Sequence, residues 1–146
     1  MILIREINNR DSKLCYELDL KTISLWSKKQ WEDEFKKKGV RIQGALISNN
    51  LIGICASQVI LDEVQINYLS VVEQFRRKGL ASNLMRNLIQ ECYLMNIRKL
   101  LLEVSEENLA AINFYSKFKF STVGIRKNYY KNGSSALLIE KYLTNK

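Results

Sequence analysis

"EQFRRKGLASNLM", residues 73–85, sets three cations beside a glycine at the point where the hydrophobic period of the chain changes. Ahead of it, "INYLSVV" at 66–72 has the β-branched and aromatic character of a strand. Behind it, Leu80, Leu84, Leu88 and Cys92 recur along one helical face, with Met85 and Ile89 beside them, which predicts a helix of about four turns from Gly79. A helix N-terminus presents unpaired N–H groups and the positive end of the dipole, so it attracts anions when a loop lets them approach. "RRKGLA" meets that need: Gly79 and Ala81 have little or no side chain to block an approach, and Arg76, Arg77 and Lys78 add positive charge. Taken alone, the hexapeptide reads rather as a helix that starts after a basic turn, with Gly79 only a break.

Outward from this stretch, "MILIREI" predicts a strand, and residues from a cap at Asp11 or Ser12 predict a helix with Leu14, Leu18 and Leu25 as its apolar positions. Ser27 caps a second short helix, stopped by Gly39. "VRIQGALIS" and "LIGICASQVIL" predict two strands joined at Asn49-Asn50, and "VQINYLSVV" a third antiparallel one. After the long helix, "KLLLEV" reads as a central strand buried on both faces. "NLAAINFYSKF" reads as a helix, and "FSTVGIRKNYY", "KNG" and "SALLIEKYL" as a closing hairpin. The expectation is one α/β domain over 1–146, with a mixed sheet and no linker or repeat.

Composition narrows the chemistry. The chain has 146 residues, 23 Lys+Arg against 15 Asp+Glu, and a net charge of +8, which favours a polyanionic partner such as nucleic acid, an acidic membrane or a phosphorylated cofactor. There is no His, so triads and metal sites that require it are excluded, and acid–base work falls to Glu, Asp, Tyr, Lys or Cys. Cys15, Cys55 and Cys92 lack metal or redox spacing and read as buried thiols in a reducing compartment. No apolar run approaches the length of a membrane span, so a cytoplasmic location is expected.

Arg76-x-x-Gly79-x-Ala81 between a strand and a long helix resembles the pyrophosphate-binding signature of the GCN5-related N-acetyltransferases (GNAT). "LSVVEQFRRKGLASNLM", "LLLEVSEENLAAINFYSKFKF" and "IRKNYY" together are similar to the RimI-type ribosomal-protein-alanine N-acetyltransferases within that family. The match is continuous from about Asp62 onward and rests before that on "LWS" and the strand order; Ala81 stands where many members have Gly. The resemblance implies the GNAT fold, a central mixed, mostly antiparallel sheet flanked by helices. It also implies acetyl-CoA as cofactor, with Leu69, Ser70 and Val71 along the pantetheine arm, Arg76, Arg77, Lys78, Gly79, Leu80, Ala81 and Ser82 around the pyrophosphate, and Asn108 on the cofactor.

Acetyl transfer to an amine needs a proton acceptor for the amine and a proton for the departing thiolate. Glu103, at the end of an apolar strand, is a candidate base if partly desolvated, or simply an exposed strand end. On the following helix Asn108, Ala111, Ile112 and Tyr115 share a face, with Tyr115 roughly 10 Å along the axis from Asn108. Tyr115 is therefore a candidate acid or a core aromatic, and Asn108 a cofactor contact or a plain cap. The resemblance assigns proton acceptance to Glu103 and proton donation to Tyr115. Asn128, Tyr129 and Tyr130 line an acceptor groove or pack a hairpin, while Tyr68, Trp26 and Trp31 read as core.

An α-amino group has a pKa of about 7.7–8.0 against about 10.4 for lysine, so a single weak base suits a protein N-terminus by roughly 3 kcal/mol. The implied acceptor is an N-terminal alanine of a small-subunit ribosomal protein. The alternatives are a GNAT enzyme with broader N-terminal, lysine or small-amine acceptors, and a non-catalytic basic module that binds the ribosome. A monomer without metal, membrane or direct nucleic-acid role is expected.

Overall fold

The computed structural model describes residues 1–143. Its elements run β1 (Ile2–Glu6), α1 (Ser12–Lys21), α2 (Lys28–Glu34), β2 (Val40–Ile47), β3 (Asn50–Ile60), β4 (Glu63–Val71), α3 (Leu80–Leu94), β5 (Lys99–Ser105), α4 (Leu109–Lys117), β6 (Ser121–Arg126) and β7 (Ala136–Tyr142). The strands form one sheet in the order β1-β2-β3-β4-β5-β7-β6, antiparallel except for the β4/β5 pair. This is the mixed sheet that the residue pattern predicts, with the mostly antiparallel pairing and flanking helices that the resemblance implies. The parallel pair follows from chain length, since α3 supplies the long crossover that parallel neighbours require.

The strand and helix periods are realised as the residue pattern dictates. Leu80, Leu84, Met85, Leu88 and Cys92 of α3 are buried, and they join a core with Ile42, Ala45, Ile54, Cys55 and Val64 from the sheet. Ser27 caps α2 through a complete capping box with Gln30. Trp31 and Tyr68 are buried and stack edge-on at 4.9 Å, with Trp26 packed against both, as core aromatics do.

Six local expectations are corrected. Helix α1 ends at Lys21, so Leu25 is 53% exposed in the following loop and not on a helix face. Its N-cap residue Asp11 makes no side-chain cap, the preceding 3-10 turn being capped by Asn8 instead. The β2–β3 turn consists of Ser48 and Asn49, both left-handed, while Asn50 already pairs with Ile47. Strand β5 alternates, burying Leu100, Leu102 and Val104 and leaving Leu101 and Glu103 half-buried, because alternate side chains point to opposite faces of the sheet and one of those faces is only partly covered. The closing hairpin is not tight: Asn128 turns left-handed at φ 52, strand β6 stops at Arg126, and residues 127–135 form a loop. Gly39 lies beyond the end of α2, where a Cβ would sit 2.4 Å from the Val59 carbonyl oxygen; its role is to let β2 approach β3.

The feature that makes a site is the divergence of β4 from β5. They pair only at Glu63↔Lys99, Val64↔Leu100 and Gln65↔Leu101. Just beyond, Ala56 of β3 pairs with Tyr68 and Ser57 with Ile66, leaving Asn67 as an extra, bulged residue. A bulge bends its strand and ends local pairing. From Ile66 onward β4 therefore leaves β5, and among the described residues the side of Leu69–Val71 that faces β5 has no strand partner.

Candidate active site

The wedge between the two strands holds two adjoining cavities. One, of about 280 Å³, is walled by Ile66–Leu69 and Leu102–Ser105 and bordered by Asn108, Ala111, Tyr115, Tyr130, Ile23 and Leu25. The other, of about 370 Å³, runs on along Leu69, Ser70 and Val71 to Arg76 and Ala81, with Ala110, Ala111, Phe114 and Tyr115 opposite. Leu69, Ala111, Tyr115 and Ile23 border both, so the cleft is continuous from the start of α3 to the β5 edge. A larger hollow of about 530 Å³ lies elsewhere, between α1, the β2–β3 turn and residues 72–75. Its polar side chains, including Glu17, Lys21 and Glu73, are all exposed.

At one end of the cleft Gly79 forms the N-cap of α3 with φ 77, and among the described residues nothing lies within 4 Å of where a Cβ would project. The first intrahelical bond there is Asn83 N–H to the Gly79 carbonyl at 2.9 Å. By helix geometry the N–H groups of Leu80, Ala81 and Ser82 precede that bond and point out of the helix end. Arg77 is also left-handed, Arg76 Nε donates to the Val71 carbonyl at 2.9 Å, and Lys78 sits 5.5 Å from the Phe75 ring. Arg76, Arg77 and Lys78 are exposed. The residues fit a pyrophosphate: unpaired donors, open space in front of them and cations around them.

At the middle of the cleft stands Tyr115, 6% exposed, packed edge-on against Phe114 at 5.1 Å and Phe120 at 5.3 Å. It is thus both a core aromatic and a cleft residue. Burial, with a smaller contribution from Cys55, pushes its phenol well above the usual tyrosine range, so it holds its proton at neutral pH. Asn108 caps α4 by accepting from Ala111 N at 3.1 Å, and it also borders the cavity.

At the far end Glu103 lines the cavity, partly withdrawn from water and paired with a cation. Its side chain is 27% exposed, and Arg126 Nε lies 2.9 Å from its Oε2. Of the three loop residues, Tyr130 borders the cavity, and burial, then Glu103 and Tyr129, raises its phenol above the usual range. Asn128 and Tyr129 are exposed beyond it, Tyr129 lying 5.1 Å from the Tyr130 ring and 5.6 Å from the Arg126 guanidinium. The loop is tied to the start of α4 by Ser135 N to Glu106 Oε2 at 2.7 Å and Asn132 Nδ2 to Glu107 Oε1 at 3.3 Å.

Four cleft features are absent from the sequence reading. Ile23 and Leu25 form an exposed apolar lip; the only sign in the sequence is Thr22 and Ser24, poor helix residues that precede and separate them. Asn67 is bulged and donates to the buried Glu34 at 2.9 Å, and Arg126 reaches Glu103 across β7. Neither pairing has a local sequence signal.

The acetyltransferase (GNAT) family pattern matches residues 4–120, and the chain belongs to that family. It is an acetyl-CoA-dependent N-acetyltransferase. Among curated relatives, the [ribosomal protein bS18]-alanine N-acetyltransferase of Salmonella typhimurium is 33% identical over 107 residues, 72% of this chain and 70% of that one. The Escherichia coli K12 protein of the same name is 30% identical over 132 residues, covering 89% and 88%. The crystal structure of the Escherichia coli ribosomal-protein-S18-alanine N-acetyltransferase superposes with a TM-score of 0.93 at 25% identity, covering 100% of this chain and 96% of that one. Arabidopsis thaliana NAA60 in complex with acetyl-CoA shares the fold, with a TM-score of 0.86 at 18% identity over 98% and 99% of the two chains.

Proposed function

We propose that this chain acetylates the α-amino group of a protein N-terminus, and that its acceptor is the N-terminal alanine of a small-subunit ribosomal protein. The observation that carries the reading is the single cleft that joins an anion cradle at Gly79 to a carboxylate at Glu103, with Tyr115 between them. The names of the relatives point to the same acceptor.

Acetyl-CoA supplies an acetyl group already activated as a thioester. Arg76, Arg77, Lys78 and the N–H groups of Leu80, Ala81 and Ser82 would hold its pyrophosphate, and the unpaired side of Leu69, Ser70 and Val71 its pantetheine arm. Glu103 would take the proton of the acceptor ammonium on its carboxylate, directly or through a water, and Tyr115 would supply its phenolic proton for the departing thiolate. Asn108 shapes the cleft through the cap of α4, and Tyr130 borders the acceptor end. The half-exposed Ile23 and Leu25 would meet the first acceptor residue.

That apolar lip favours a second, broader reading in which larger apolar first residues are also accepted. Peptides differing only in their first residue (Ala, Ser, Met or Leu), with a terminally blocked control, decide between them when product is followed by mass spectrometry. A clear preference for Ala supports the ribosomal acceptor. Equal rates across the panel favour the broader reading, and product from the blocked control alone overturns both.

A further inference from the structure

Among the buried groups that the proposed chemistry leaves unused is the carboxylate of Asp19, in the last turn of α1 and fully buried. Its Oδ1 accepts from Leu25 N at 3.0 Å and from the Tyr68 hydroxyl at 2.9 Å. Its Oδ2 accepts from Trp26 N at 2.9 Å and Trp31 Nε1 at 3.0 Å. These donors occupy the four lone-pair positions of a carboxylate. The Asp19 main-chain carbonyl takes two more N–H groups, from Thr22 at 3.0 Å and Ser24 at 2.8 Å.

The amides of residues 22, 24, 25 and 26 thus all end on one residue. Ser24 is left-handed at φ 50, a conformation that the surrounding bonds must impose on a residue other than glycine. Between these anchored amides, Ile23 and Leu25 stand 52% and 53% exposed on the rim of the cleft. Across the cleft wall, Tyr68 ties the same carboxylate to β4, and Thr22 Oγ1 lies 3.3 Å from its hydroxyl. A buried carboxylate near a helix C-terminus also faces the unfavourable end of the helix dipole. Apolar residues in that place would pack without that cost but could not gather four polar donors.

We propose that Asp19 is a positioning residue for the acceptor, fixing the Ile23–Leu25 lip against β4 and so setting how the enzyme grips, and chooses among, first residues. This rests on the reading that the lip meets the acceptor N-terminus. Asp19→Asn keeps the shape but turns two acceptor sites into donors, opposing two of the four bonds. Tyr68→Phe removes only the bond to β4.

The test compares wild type, Asp19→Asn and Tyr68→Phe in kcat and KM for the peptides beginning Ala, Ser, Met and Leu, with acetyl-CoA affinity measured by calorimetry. For Asp19→Asn the acceptor KM rises about tenfold and the ratios among peptides change at least about threefold, while acetyl-CoA affinity stays within about twofold. Tyr68→Phe gives a smaller change in the same direction. A purely structural role would lower the active fraction, and so kcat, for every peptide alike, leaving KM and the ratios in place; that result overturns the proposal. If Asp19→Asn does not fold, Tyr68→Phe decides: an unchanged acceptor KM overturns the proposal. A wild-type enzyme that acetylates none of the peptides refutes the acceptor reading itself, whereas an active wild type with unaltered variants refutes the role of Asp19 alone.

Discussion

Arg126 Nε lies 2.9 Å from Glu103 Oε2, an ion pair that reaches from edge strand β6 across β7 to the rim of the cleft. The carboxylate proposed to take the acceptor proton is therefore held in place by a cation from a strand far along the chain. Its side chain keeps 27% exposure, enough for a water or an amine to approach.

Glu103→Gln removes the proton acceptor with little change in shape. Near pH 7 most of an α-amino group with a pKa of about 7.7–8.0 is protonated and needs a base; by pH 9 it is already neutral. Turnover of the variant is predicted to fall about 100-fold at pH 7, and the deficit to shrink as pH rises. Steady-state rates from pH 6.5 to 9 check this. A constant deficit across that range contradicts a base role.

Gly79→Glu places a carboxylate in front of the α3 N-terminus and forces a side chain into a left-handed residue. Since nothing lies near the missing Cβ, the fold has room for it. Acetyl-CoA affinity is predicted to drop by more than about tenfold, read by calorimetry, with the circular dichroism spectrum retained. Unchanged affinity would remove the cradle from the account.

Tyr115→Phe keeps the ring packed against Phe114 and Phe120 and deletes only the hydroxyl. If the phenol donates to the leaving thiolate, kcat falls about 10- to 100-fold while acetyl-CoA affinity and thermal stability hardly change. A loss of stability with normal kcat would make Tyr115 a core residue alone.

Burial pushes the thiol of Cys55 up to about 12 from its ordinary value of 9.0, with smaller contributions from Cys92 and Glu91. Below pH 9 the thiol is neutral in both folded and unfolded chains, so it adds no pH dependence there. Above pH 9 the unfolded thiol ionises and the folded one does not, so stability falls by about 1.4 kcal/mol per pH unit up to about pH 12. Cys15 and Cys92 are shifted upward as well, mainly by burial. Urea titrations at pH 8 and pH 10 should show a lower midpoint at pH 10; equal midpoints would contradict neutral buried thiols.

The parts of the architecture legible in sequence were those with local causes. The α3 face, the Ser27 capping box and the break in period at Gly79 each depend on residues within a few positions of one another. The position of Arg76–Ser82 at the start of α3 and of Tyr115 on α4 was legible for the same reason, while the roles proposed for them come from the family resemblance. Leu25 was misleading because an apolar residue at helical spacing gives no sign that Asp19 has already collected the amides that end the helix. Asn67 and Arg126 were invisible because a bulge and a cross-strand ion pair are properties of register, which forms only when distant strands meet.

The most direct test of the central claim uses one peptide with both a free N-terminal alanine and an internal lysine, incubated with the enzyme and acetyl-CoA and sequenced by fragment mass spectrometry. The account predicts acetylation on the α-amino group with the lysine left free. Acetylation on the lysine with the N-terminus left free would contradict it.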